Sequence, residues 1–183
     1  LSYNLTLKQY CDIFKDFLPW LYLENGTTSN AKFSEGNEVE FGFQSDSISV
    51  SGMGLSDLKI NSAVSENKLH TSVKASKYYL AKEIVLNSPV VDAYTQNNSN
   101  EIYCNWQRND SLIGDGEISA IANLTEKQKM DLQIILSPSR LNINQLEWYI
   151  NDGAVNIGDS LISISKAIIN QGEQYFYIDG AVG

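Results

Sequence analysis

The residues that could do chemistry in this chain are few and scattered. His70 is the sole histidine, on the polar side of an alternating segment; with no second histidine, neither a zinc hydrolase nor a Ser-His-Asp site has much support, and it reads as an exposed strand residue. Gly114-Asp115-Gly116-Glu117 resembles part of a phosphate or calcium loop, but it has neither the lysine of a P-loop nor the ligand ladder of an EF-hand, and reads as a turn. Gly52-Met53-Gly54 lacks the third glycine of a nucleotide fingerprint. Asp110, Asp115 and Glu117 could pair as glycosidase carboxylates, but nothing raises that above solvated loop acids, and they read as such. Trp20, Trp106 and Trp148 could stack on a sugar, but Trp20 and Trp148 fall on or near apolar faces that suit core packing. No catalytic residue, metal site or cofactor is therefore expected, and the chain reads as a non-enzyme.

The remaining special residues point to a compartment. Cys11 and Cys104 are too few for a disulfide scaffold and match no zinc spacing; they read either as one long-range bridge or as two buried thiols. Five N-x-S/T sequons, at Asn4, Asn25, Asn97, Asn109 and Asn123, favour a secreted glycoprotein, with any signal peptide already removed before Leu1. A net charge of −9 disfavours nucleic acid and anionic membrane surfaces as partners. No run of about 18 apolar residues is present to span a membrane as a helix.

The elements that must position any site change period along the chain. Leu7, Tyr10, Cys11, Phe14, Phe17, Leu18 and Leu21 form one stripe at the helical period, with Thr6 and Gln9 at capping-box spacing and Pro19 kinking or ending the helix. From Glu38 the period becomes two. Val39, Phe41 and Phe43 alternate with polar residues, Ile48 and Val50 continue, and Leu58 and Ile60 resume after a bend at 51–54. Further strands are expected near 69–75, Tyr78–Leu86, Glu101–Gln107, Glu117–Asn123, Lys129–Leu136 and Leu141–Ile150, with a polar loop over Asp92–Asn100. Ile157, Leu161, Ile164 and Ile168 are spaced for a second amphipathic helix, capped by Asp159 or Ser160 and ended at Gly172. Tyr175–Ile178 suit a last strand; the rest of the tail has no assignment. The expected fold is one α+β domain, 1–183, with helices segregated from an antiparallel meander.

The run from Asp46 to Asn61, with Gly52, Gly54, Leu55, Leu58 and Ile60 at its centre, is similar to the early strand of insect takeout and juvenile-hormone-binding proteins. Leu141–Leu146 followed by Ile157–Asn170 resembles the late part of that fold, and group 7 mite allergens share the order. The chain departs from the insect members in having only Cys11 near its amino terminus. The resemblance implies a tubular lipid-binding (TULIP) domain, a strongly curved antiparallel sheet wrapped around long amphipathic helices. Its implied partner is a fatty acid, phospholipid or terpenoid. Periodicity marks Phe14, Leu18, Leu21, Phe41, Phe43, Ile134, Leu161, Ile164 and Ile168 as inward, without separating the lining of a tunnel from a filled core. A ligand-free extracellular interaction or structural module is the other reading.

Overall fold

The computed structural model describes residues 1–8, 18–34, 38–81, 84–107, 113–127, 129–158 and 161–183. Among them there is no helix; the described residues are all-β, which overturns the α+β expectation. Its strands are β1 (Ser2–Thr6), β2 (Leu21–Leu23), β3 (Thr28–Phe33), β4 (Val39–Val50), β5 (Met53–Ser65), β6 (Lys68–Lys74), β7 (Lys77–Ala81) and β8 (Ile84–Gln96). They continue as β9 (Ser99–Gln107), β10 (Ile113–Lys127), β11 (Lys129–Leu136), β12 (Ser139–Ile143), β13 (Leu146–Ile150), β14 (Gly153–Ile157), β15 (Ile162–Gln171) and β16 (Gln174–Val182).

All belong to one antiparallel sheet that runs up and down in chain order. Several short strands are halves of longer ones. β6 and β7 lie end to end between β5 and β8; β12 and β11 both pair with β10; β13 and β14 both pair with β15. Tight turns set the register. Ser51-Gly52, Glu66-Asn67, Asn97-Asn98 and Asn144-Gln145 each place two consecutive residues at positive φ, the primed-turn geometry that matches strand twist and that asparagine and glycine tolerate best. The expected loop over Asp92–Asn100 is thus the Asn97-Asn98 hairpin between β8 and β9.

The second expected helix is β14 and β15. Ile157, Ile164 and Ile168 do fall at a helical spacing, but Ile162 and Ile164 also alternate with Ser163 and Ser165, and a run this rich in β-branched residues loses side-chain freedom in a helix that it keeps in a strand. Cross-strand pairing to β16 then satisfies its backbone. Of the first expected helix, Thr6 ends β1, Leu21 begins β2, and Leu7 lies in neither; Phe14 and the rest of 9–17 fall outside the described residues. No described helix therefore fills the curve of the sheet.

A crease crosses the sheet where its strands are interrupted. Asp57, Ser88 and Lys166 adopt positive φ, and register jumps occur between Asn87 and Val90, Ile113 and Gly116, and Ile164 and Ala167. Bulges of this kind bend a strand and sharpen its twist. Pro89, inside β8, sits at one of these jumps, where its missing N–H costs no ladder bond. The residues buried along the crease include Ser45, Leu58, Ala75, Trp106, Ala167 and Ser139. Its hydroxyls are satisfied locally: Thr27 Oγ1 donates to the Glu24 carbonyl at 2.6 Å and lies 2.7 Å from Ser45 Oγ, which donates to the Ser47 carbonyl. Trp106 closes the middle, its indole N–H donating to the Gly114 carbonyl at 2.8 Å. Gly114-Asp115-Gly116 is therefore not a free turn but a bulged stretch of β10.

The chain exposes 12376 Å², against about 8,800 Å² for a compact chain of its mass. Among the described residues no second layer covers the sheet, which leaves much of both its faces open.

Candidate functional site: an apolar concave face

Directly opposed residues of an antiparallel pair point to the same side, and alternate residues along a strand to opposite sides. The registers therefore assign faces. One row runs Phe43, Ile60, Val73, Val91, Cys104 and Ile118 from β4 to β10. Past the mixed row Phe41, Ser62, Thr71, Ala93, Ile102, Ala120 and Leu136 lies a second row, which runs Val39, Val64 and Leu69, then the polar pair Thr95 and Asn100, then Ala122, Ile134, Val155 and Ile164. A third joins Leu132, Ile157 and Ile162 to Val182. The opposite face carries Gln44, Lys59 and Lys74, then Asn61, Ser72 and Asp92, then Gln133, Asn156 and Ser163. One side is largely aliphatic, interrupted by the hydrogen-bonded pairs Ser62–Thr71 and Thr95–Asn100; the other is largely polar, with Tyr94, Tyr103, Ile121 and Ile135 as its main exceptions.

The crease shows which way the sheet bends. Ser45, Leu58, Trp106 and Gly116 share the apolar face by register, and all are buried, whereas their neighbours Asp46, Asp57, Asn105 and Glu117 on the other side are exposed. The sheet folds towards its apolar face. Away from the crease that face is only half-buried: β5 alternates half-buried Ile60, Ser62 and Val64 with exposed Lys59, Asn61 and Ala63. A concave strip of aliphatic side chains is left partly open. Near the β16 edge it deepens into a hollow of about 300 Å³ lined by Ile162, Ile164, Ile178 and Val182.

The expected lining residues divide accordingly. Phe41, Phe43, Ile134 and Ile164 lie on the concave face. Leu18 is half-buried just before β2, and Leu21 opposes Val50 in β2 beyond the crease. Leu161 is 52% exposed ahead of β15, and Ile168 shares the convex side with Asn170, so neither belongs to the strip. A helical period assigns both inward, and the strand does not have that period. Val39, Ile60, Val73, Val91, Ile102, Ile118 and Val155 complete the strip. The sequence reading does not single them out as lining, although the period-two alternation through them is the signal that finds them.

The other candidates resolve as follows. Arg140, on the convex side, holds Asp115 at 2.8 Å and Glu147 at 3.7 Å, and the hydrogen bond to Asp115 raises its pKa. Asp115 is thus in an ion pair; Asp110 lies outside the described residues. Trp148 stacks on Phe176 with centroids 5.5 Å apart, and Trp20 is half-exposed at the turn before β2. Asn4, Asn25 and Asn97 are exposed, Asn123 is half-buried in β10, and Asn109 lies outside the described residues. No group of metal-ligating side chains occurs among the described residues, and no described helix is long and apolar enough to cross a membrane.

Cys104 is a free, partly buried thiol on the concave strip, and Cys11 lies outside the described residues. Burial raises the Cys104 pKa. A thiol with a raised pKa favours the neutral form in the fold, so its contribution to stability holds below the ordinary thiol pKa and is lost as pH rises towards the folded value. Iodoacetamide labelling of the native chain will reach half its maximal rate at a higher pH than labelling of the urea-denatured chain. Denatured chain that labels only after reduction would instead show a Cys11–Cys104 bridge.

No family model matches this chain, and neither a curated protein nor a solved structure matches it.

Proposed function

We propose that the chain is a binding protein for the apolar part of a lipid-like molecule, held along the concave face of its creased sheet. The observation that carries this reading is the segregation of the two faces. A sheet whose described residues form one layer has no structural need to keep so many aliphatic side chains on one half-open face, unless something greasy covers them. The site acts by burial alone. Each methylene laid against the strip contributes about 0.8 kcal/mol, so an acyl chain of ordinary length offsets the cost of association. The ligand in this reading is a fatty acid, phospholipid or terpenoid, in an extracellular and glycosylated setting that the exposed Asn4, Asn25 and Asn97 support.

Native mass spectrometry of the chain secreted from a eukaryotic host tests both halves of the reading. Expected are N-glycan increments on the protein mass and, after deglycosylation, adducts of lipid mass that organic solvent strips. Adduct-free spectra from several hosts, together with no binding of a fluorescent fatty acid or phospholipid, would remove the lipid reading. An unglycosylated product would remove the extracellular one.

A further inference from the structure

The convex face carries a second feature that lipid binding does not use. Three neighbouring strands bring six side chains together there. Register sets His70 of β6 opposite Tyr94 of β8, Tyr94 opposite Glu101 of β9, and Asp92 opposite Tyr103. The rings form an ordered array. His70 stacks on Tyr94 with centroids 4.5 Å apart and planes within 4°, and Tyr94 meets Tyr103 edge-on at 6.2 Å. His70 Nε2 lies 3.2 Å from Asp92 Oδ1, and Lys68 Nζ lies 5.0 Å from the centre of the Tyr94 ring. Between Lys68, Asp92, Tyr94, Glu101 and Tyr103 is a shallow hollow of about 390 Å³.

We infer that this hollow is a binding site for a neutral saccharide. The chemistry of its walls selects the class. Tyr103 is 45% exposed on the convex face, and so offers an open ring for an apolar sugar face to stack on. Asp92 and Glu101 accept hydrogen bonds, Lys68 donates them, and the tyrosine hydroxyls do both, so the rim matches a ring of hydroxyl groups, each of which is donor and acceptor at once. An anionic ligand meets two carboxylates. A cationic one finds Lys68 already over the Tyr94 ring, the place a cation would take. A neutral polyhydroxylated ring meets neither obstacle. His70, held by Asp92 and Tyr94, positions the platform and need not touch the sugar.

Saturation-transfer NMR on the whole chain, with a panel of neutral glucose, mannose and galactose tetrasaccharides in both linkage configurations, tests the site. Transfer to at least one of them is expected. Tyr103→Ala, which removes an exposed ring and leaves the sheet intact by circular dichroism, will weaken that ligand at least ten-fold, and Glu101→Gln will weaken it several-fold. Binding of a fluorescent fatty acid will be the same in all three proteins, since the concave face is untouched. Absence of transfer from every neutral tetrasaccharide, transfer that survives Tyr103→Ala, or tighter binding of a sulfated oligosaccharide or of choline would each overturn the assignment. None of these results bears on the concave strip.

Discussion

Gly116→Ala will destabilise the fold by about 2 kcal/mol or more, the usual range for forcing extra volume into a packed site. A methyl group placed on Gly116 would come within 2.3 Å of the Trp106 ring. That ring cannot step aside. It is 7% exposed and tied through its indole N–H to Gly114, at the middle of the crease. Trp106→Ala alone removes the ring and leaves a cavity, with an expected loss of about 3–5 kcal/mol. The two changes should be strongly non-additive, because the three atoms nearest to a methyl on Gly116 all belong to the indole that Trp106→Ala removes. Urea unfolding of the four proteins measures the coupling. Additive losses would show that the close approach of Gly116 to Trp106 is not what requires the glycine.

The second large effect separates the two faces of a single strand. Ile118 and Ile121 both lie in β10; Ile118 opposes Cys104 on the concave side, and Ile121 opposes Glu101 and Ile135 on the convex side. Ile118→Asp puts a charge in the middle of the aliphatic strip, where a bound acyl chain would desolvate it. Affinity for a fluorescent fatty acid is expected to fall at least ten-fold, equivalent to about 1.4 kcal/mol. Ile121→Asp, at a position already 37% exposed, should leave affinity unchanged. Equal losses in both variants, or none in either, would contradict a lipid seat on the concave face. Circular dichroism keeps loss of fold apart from loss of site.

How far the sequence discloses this arrangement differs from segment to segment. Val39, Phe41 and Phe43, and the alternation of Met130, Leu132 and Ile134 with Asp131 and Gln133, reveal strands because side chains on a pleated backbone repeat every two residues. Ile157, Leu161, Ile164 and Ile168 mislead because a few isoleucines can satisfy a period of 3.6 and a period of two at once. Their β-branching, and the alternation of Ser163 and Ser165 with Ile162 and Ile164, decide for the strand. The single-layer form is hidden for another reason: an apolar stripe is the same whether protein or ligand covers it. Least legible is the convex cluster. Lys68 and His70, Asp92 and Tyr94, and Glu101 and Tyr103 are three separate pairs in the chain, and they meet only through the registers between β6, β8 and β9. The Asn97-Asn98 turn that sets one of those registers looks, in sequence, like part of a longer polar loop.

The up-and-down order of the sheet also bears on how it assembles. Nearly every strand pairs with segments adjacent to it in the chain, joined by hairpins of two residues or little more. Such closures forfeit little chain entropy, so each hairpin can form early and serve as the template for the next. The topology allows growth by accretion from a local nucleus, as in an array of repeats, for all the strands from β3 onward. The penalty falls on the last strand added: β16, exposed along its whole length, pairs among the described strands with β15 alone and gains only the Trp148–Phe176 stack besides.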